Sequence, residues 1–413
     1  MEKRLIRNIS AILITFMFSA FAVFSIALEV TSLSSYLHVS VSAILVAVPL
    51  DFIGGAIGSV LLGRRADRMG RKPMMILSVA VFSIGLLLAS LIQNIYELYA
   101  LWFVIGIGVN SQNGLSYPLL VETIKKSSGF IGSIMQGLYF IGFLLDIAFS
   151  LFFHFWRFYF LSAGLVSLII TIPLSLIMEE TSVGNISAKT RIKLTERQVI
   201  LTVALSMITV GAFMLSIPLL SVVPTLFHEN NIPDYYIIIL ALIGFVGFAF
   251  AGYLSDRLLK WKVTVYFSIM GLFSGLLLFM VTRDAEIFGL MVLAYLSSGF
   301  FGFIGVWASM TYPREIRAAS TNIVFIVGRI IGGFSPFLSV LIIPSSLREG
   351  ISLMIIISTV IAVLGSIVYR VTSGMNNRGK EIESPEVKEK RESDIQKKTY
   401  EIETLHYTTN EPA

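Results

Sequence analysis

The sequence contains no cysteine, which excludes disulfides, thiol catalysis and cysteine-ligated metals. Its four histidines, His38, His154, His228 and His406, are scattered without ligand spacing, so no metal site and no cofactor are expected. No G-x-x-x-x-G-K-[ST] stretch occurs, so ATP is not expected as an energy source. No nucleophile–base cluster stands out, so the chain does not read as an enzyme. Charge is sparse too: 14% of the 413 residues are charged, against about a quarter in soluble domains.

What is present is apolar. Hydrophobic residues make up 55% of the chain, and they fall in uncharged runs of about twenty, enough for a helix to cross about 30 Å of hydrocarbon. Twelve spans are predicted, at 8–31, 42–62, 74–92, 97–121, 129–151, 157–178, 199–226, 236–255, 263–281, 287–310, 319–343 and 350–371. The fold class is therefore an all-α membrane protein with twelve transmembrane helices. Lys3, Arg4 and Arg7 precede the first run, which is too long for a signal peptide and lacks a small-residue cleavage site; it is read as an uncleaved helix.

Lysine and arginine sort the loops by side. One side collects Lys3, Arg4, Arg7, the Arg64–Lys72 cluster, Lys125, Lys126, Lys189, Arg191, Lys193, Arg197, Arg257, Lys260, Lys262, Arg314 and Arg317, while the other holds only Arg157, Arg283 and Arg348. The positive-inside rule puts the basic side, and with it both termini, in the cytoplasm of a cell-membrane protein. The net charge of +5 is then mostly topology, and no nucleic-acid partner is implied. Two six-helix halves are expected, 1–178 and 199–371, joined by a polar cytoplasmic linker, 179–198. The tail 372–413, with seven basic and nine acidic side chains, is expected to be solvated and disordered.

One charged turn has an echo. "GRRADRMGRK" begins at Gly63 and "GYLSDRLLKWK" at Gly252; Gly63, Asp67 and Arg68 match Gly252, Asp256 and Arg257 at an offset of 189. Each turn follows the second helix of its half. The sequence here resembles the major facilitator superfamily, whose signature loop G-x-x-x-D-R-x-G-R-[RK] is fitted by Gly63, Asp67, Arg68, Gly70, Arg71 and Lys72. The second copy is degraded, with Leu259 in place of the second glycine and Lys260 in place of the arginine. The resemblance implies two parallel six-helix repeats that alternate access to a central site. It also implies a cytoplasmic latch: Asp67 accepting backbone N–H groups near Ala318 and Ala319 at the start of helix 11, and Arg71 reaching Glu122 on helix 4, with Arg317 in the matching second-half stretch. Arg64, Arg65 and Lys72 read as topology markers.

"GIGVNSQNGLSYPLLVET" in helix 4 and "YPREIRAASTNIVFIVGRIIGGFSPF" in helix 11 resemble the branch of the superfamily that carries sugars, phosphate, aromatic acids and organic ions. The sequence departs from that pattern at Ser128, Met310 and Trp102, which stand where Arg, Glu and Arg are usual. Ionisable residues inside the spans are costly and therefore mark function. Arg329 lies ten residues into helix 11, about 15 Å from the basic side. Asp51, nine residues into helix 2, counts to nearly the same depth, and by resemblance the two helices face each other. Three readings of Arg329 stay open: an ion pair with Asp51, a bidentate clamp for a substrate carboxylate, and snorkelling to a surface.

Asp51 is the first candidate proton carrier, because breaking such a pair would let it take a proton. Asp146, which Arg157 could pair with, and Glu29 come next. Asn110, Asn113, Gln136, Tyr139, Trp307 and Asn322 are candidate cavity-lining groups, although helix–helix hydrogen bonding explains each alone equally well. The expected function is a monomeric secondary transporter, a proton-coupled symporter of a small organic anion such as a carboxylate or aromatic acid. A proton-driven drug or metabolite exporter and a sugar or polyol carrier are the alternatives. The partners implied are a small-molecule substrate, the proton and the bilayer.

Overall fold

The computed structural model describes residues 2–124, 129–180, 194–233, 235–312 and 317–381; the side chains of Asp67, Arg68, Asn113, Glu122 and Arg317 lie outside the described set. All regular elements among the described residues are helices. Twelve long ones follow the sequence: α1 (Glu2–Phe24), α2 (Ala47–Met69), α3 (Arg71–Ala89), α4 (Ile95–Ile124), α5 (Gly129–Phe152) and α6 (Trp156–Ile177), then α7 (Glu196–Ser221), α8 (Tyr235–Arg257), α9 (Lys260–Leu278), α10 (Asp284–Ser297), α11 (Arg317–Gly332) and α12 (Leu347–Glu381). Eleven spans among the described residues are long and apolar enough to cross a membrane. The twelfth is α4, with 30 residues.

Several boundaries differ from the apolar runs, and backbone chemistry explains most of them. The first run breaks after Phe24 and resumes as a short helix, Val30–Leu37. The second begins as a separate turn, Val41–Leu45, so α2 itself starts only at Ala47. α10 passes through a 3-10 turn at Ser298–Phe301, inside the glycine-containing "SGFFG", before continuing as Ile304–Thr311. α11 stops at the Gly332–Gly333 pair and restarts as Ser335–Leu341, with Pro336 in its first turn, where its missing N–H costs nothing. α12 runs on to Glu381, ten residues beyond the end of its apolar run.

Packing repeats with a period of six helices. In the first half α1 packs on α5, α2 on α4 and α3 on α6; in the second, α7 packs on α11, α8 on α10 and α9 on α12. The most extensive contacts between the halves are α5 on α8 and α2 on α11, and these also map onto each other under the same shift. The outer faces of the bundle expose large apolar side chains such as Ile169, Phe273, Leu276 and Phe152, which suits a hydrocarbon solvent. Small hydroxyl residues go inside, where Ser83, Ser167, Thr171 and Thr209 are buried. Thr171 and Thr209 donate back to the carbonyls of Ser167 and Leu205, one turn earlier.

The α2–α4 seam is the tightest approach near the centre. A methyl group added at Gly58 would overlap the Ile107 carbonyl, and one at Gly54 the Phe103 carbonyl, so these backbones touch with no side chain between them. Gly63, on the same helix, faces open space. Gly58→Val should therefore lower the melting temperature in detergent by several degrees, an overpacking cost of about 1–3 kcal/mol. Gly63→Ala should leave it unchanged or slightly raised. Equal losses in the two variants would refute the close seam.

Candidate solute site between the halves

Arg329 on α11 is 1% exposed, and its guanidinium crosses between the halves. Its Nη1 donates to Ser59 Oγ on α2 at 2.7 Å. That hydroxyl in turn donates to the Gly55 carbonyl at 2.8 Å and lies 3.2 Å from the Asn110 carbonyl on α4. Asn110 Nδ2 donates to Asp51 Oδ2 at 2.9 Å. A polar line thus runs from Arg329 through Ser59 and Asn110 to Asp51, across three helices and the boundary between halves. Gly55 is required there, because a Cβ would collide with the Asn110 side chain.

The ion pair with Asp51, one of the three open readings of Arg329, is not formed among the described residues. Asp51 and Arg329 each have a different partner, and no N···O contact within 4.0 Å joins them among the described residues. The register explains this. Val46 keeps helical φ/ψ, so the span still runs from Val41 and Asp51 lies along it as counted; the offset comes from how α2 and α11 meet. Gly333, one turn beyond Arg329, is the residue that meets Phe52. Arg329 is therefore roughly a turn deeper toward the basic face than Asp51, and its side chain reaches further that way. Ser59 was not singled out from the sequence; its spacing of four and eight from Gly55 and Asp51 on one helical face was the available signal.

The unused edges of the two charged groups are informative. Among the described residues, Arg329 Nε and Nη2 are buried without a hydrogen-bond partner, as is Asp51 Oδ1. Nε and Nη2 form the side-on fork of a guanidinium, the edge that matches both oxygens of a carboxylate. A cavity of about 20 Å³, room for roughly one water, lies between the halves; neither Arg329 nor Asp51 lines it, but Phe52, which follows Asp51, and Phe213, which meets Gly328 and Gly332 of α11, stand in its wall. Gln136 and Tyr139 line it, and aromatic rings close it, among them Phe52, Phe213, Phe248 and Phe301. Phe213 is the hub: it meets Phe52 edge-on at 5.7 Å and Phe301 at 4.7 Å. The centre is contracted around an aromatic plug.

The remaining candidates are distributed differently from expectation. Trp307 lies away from the centre, packed edge-on against Tyr369 of α12 at 4.7 Å. Asn322 is part-exposed on α11, two turns closer to the basic face than Arg329. Asp146 is buried, but Arg157 is not its partner: Tyr159 of α6 donates to Asp146 Oδ1 at 2.6 Å. Arg157 instead donates to the Ser90 and Ile92 carbonyls and to Tyr36 Oη, and stacks 4.5 Å over Trp156. Glu29 is also buried, just past the end of α1. Asn113 lies outside the described side chains.

At the basic end a carboxylate does cap a helix across the halves, from the degraded copy of the motif. The backbone N–H groups of Gly129 and Phe130, the first residues of α5, donate to Asp256 Oδ1 at 2.7 Å and Oδ2 at 3.0 Å. A turn earlier, Gly252 abuts Ser133 and the Gly129 carbonyl, so α8 and α5 meet closely. Arg257 does not join the latch; it stacks 4.1 Å over Tyr253 of its own helix. In the first copy Gly70 turns the chain with φ of 98°, and Glu180 caps α3 by accepting from the N–H groups of Arg71 and Lys72. Gly63 makes no close approach. The expected contacts of Asp67, Arg68, Glu122 and Arg317 fall outside the described residues.

Comparison with known proteins decides the family. The sequence profile of the Major Facilitator Superfamily matches residues 10–312. The chain belongs to that superfamily. It is thus a multi-pass membrane transporter rather than an enzyme. It is 26% identical over 308 residues to the putative niacin/nicotinamide transporter NiaP of Bacillus subtilis (strain 168), covering 70% of this chain and 76% of that one. A 76-residue stretch, 18% of this chain and 19% of the other, is 33% identical to the sialic acid transporter NanX of Escherichia coli (strain K12). The crystal structure of a D-xylose–proton symporter shares the fold, with a TM-score of 0.71 at 17% identity, covering 88% of this chain and 97% of that one.

Within this superfamily chain the Asp256 cap is the described bond that pins one half to the other at the basic end. Losing a helix N-cap costs about 1 kcal/mol, which corresponds to a roughly fivefold shift in a two-state equilibrium. Asp256→Ala should therefore raise the labelling rate of a cysteine placed at Ser133 severalfold, without loss of folded protein. Unchanged labelling would show that the cap does not hold the halves together.

Proposed function

We propose that the protein is a proton-coupled symporter of a small, ring-bearing organic anion, taken up from the face opposite the basic one. The observation that carries this reading is the Arg329 guanidinium, anchored to Ser59 by Nη1 while its buried Nε–Nη2 edge has no hydrogen-bond partner among the described residues. A planar carboxylate would meet that fork bidentately, and its ring would displace or stack on the Phe213 cluster. Niacin and sialic acid, named for two of the relatives, are carboxylic acids, while nicotinamide, also named for the first, is a neutral amide. The basic face, with both termini, is assigned to the cytoplasm on the lysine and arginine bias.

Asp51 is the assigned proton carrier. Its Oδ2 is held by Asn110 and its Oδ1 is open, and it shares a polar line with the anion clamp. Protonating Asp51 frees Asn110, whose backbone carbonyl also faces Ser59, so proton and anion occupancy are linked through one hydroxyl. Asp146 with Tyr159, and then Glu29, are the reserve carriers. Closure at the basic end by the Asp256 cap, alternating with closure at the opposite end, gives each solute one exit at a time.

Proteoliposomes supplied with nicotinate, nicotinamide and xylose, each with and without a pH gradient, test the reading. Gradient-driven accumulation of nicotinate alone is expected. Arg329→Lys keeps the charge and loses the fork, and should weaken the apparent affinity about ten- to hundredfold, the worth of a charged hydrogen bond. Asp51→Asn should abolish gradient-driven accumulation while preserving nicotinate exchange. Equal accumulation of xylose, or nicotinate affinity unchanged in Arg329→Lys, would overturn the anion assignment. Uphill transport surviving in Asp51→Asn would move the proton to Asp146 or Glu29.

A further inference from the structure

A second cavity lies far from the solute site, at the basic end of the C-terminal six helices. It encloses about 670 Å³ among the α8–α9 turn, the end of the Ile304–Thr311 helix and α12. Three cations line it, Lys260, Lys262 and Arg370, and no acidic residue does among the described residues. Lys260 Nζ is partly committed to the Ser255 carbonyl at 3.1 Å. Lys262 and Arg370 have no ion-pair partner among the described residues. Both sit over the Trp261 ring instead, Nζ at 5.7 Å and the guanidinium carbon at 4.7 Å from its centroid. Trp307 and Tyr369, in edge contact at 4.7 Å, form another part of the wall. Asp256 offsets part of the charge on Lys260, but Lys262 and Arg370 are left as like charges in a concave site, and an anion between them relieves that cost.

Depth identifies the anion. α12 starts at Leu347, and about twenty residues cross the hydrocarbon, so Tyr369 to Gly374 stand at the level of lipid headgroups. α9 starts at Lys260, which sets Lys260, Trp261 and Lys262 at the same level. Tryptophan and tyrosine favour this layer, and basic pockets between transmembrane helices on the cytoplasmic side suit anionic headgroups. Leu258, Leu259 and Met310, exposed at the rim, offer apolar surface to acyl chains. The chain's own tail fits less well, because α12 carries it on to Glu381, about 10 Å beyond Gly374.

We infer that this cavity binds the phosphate headgroup of an anionic phospholipid from the adjoining leaflet, with Lys262 and Arg370 as the phosphate-binding pair and Trp261 as their platform. Neither residue touches the solute site, so the inference stands apart from the substrate assignment. Native mass spectrometry of the full chain, released from phosphatidylcholine nanodiscs doped with phosphatidylglycerol, reads retained lipid. The wild type should hold phosphatidylglycerol in preference to phosphatidylcholine. The double variant Lys262→Ala/Arg370→Ala should weaken that binding about thirtyfold, the effect of removing two cations at a lipid surface. Arg283→Ala, at the opposite end, should change nothing, and millimolar inorganic phosphate should not displace the lipid. The double variant's melting temperature in pure phosphatidylcholine should match the wild type, which separates lost binding from lost folding. Wild-type retention by the double variant, or displacement of the lipid by phosphate alone, would overturn the inference.

Discussion

The hydrogen bond from Arg329 to Ser59 is the interaction around which the centre of the molecule is arranged. An arginine at this depth costs several kcal/mol to bury, and it persists only where polar partners receive it. Ser59 receives one nitrogen, and the hydroxyl is oriented by the Gly55 carbonyl. Gly55 must lack a side chain so that Asn110 fits, and Asn110 then holds Asp51. The glycines of the α2–α4 seam bring those backbones close enough for the line to exist. One buried charge therefore fixes the choice of small residue, hydroxyl, amide and acid on two neighbouring helices.

The same charge is incompletely satisfied. An arginine with two idle donors and an aspartate with an idle oxygen, both buried, are a poor way to stabilise a fold and a good way to hold a site ready for a ligand. The aromatic plug nearby leaves only about 20 Å³. On the proposed reading a solute would have to part the Phe52–Phe213–Phe301 contacts, and ring contacts at such spacing are worth only about 0.5–1.5 kcal/mol each. Entry and the separation of the halves are thus one event, opposed at the basic end by the Asp256 cap on α5.

Pseudo-symmetry gives that cap its meaning. Under the six-helix shift, the α5–α8 contact maps onto the α11–α2 contact, so Asp256, in the last turn of α8 and facing the start of α5, stands at the repeat position that the 189-residue offset gives to Asp67. The copy of the motif that matches the signature less well still keeps the element that does physical work here, an aspartate aimed at two free N–H groups. Its neighbour Arg257 turns to a ring of its own helix instead.

Hydropathy determined the twelve spans, the helical class and the repeat, because a bilayer leaves a chain no other way to satisfy its backbone. The same reasoning found Arg329, Asp51 and Asn110, since polar groups inside apolar runs are conspicuous. Partnership was decided by tertiary structure alone. Depth counted along two separate apolar runs does not fix how the helices slide past each other; with Gly333 against Phe52, Asp51 and Arg329 are a turn apart. Trp307 appeared available to the centre because composition carries no helix rotation; packing turned it toward Tyr369. Arg157 looked like a partner for Asp146 because both lie near the outer end, yet the α5–α6 arrangement presents Tyr159 there. Sequence specifies which segments enter the membrane through free energies of transfer, which sum residue by residue. Register and rotation between helices come from the fit of glycines, rings and carbonyls across seams, which exist only once the helices have met.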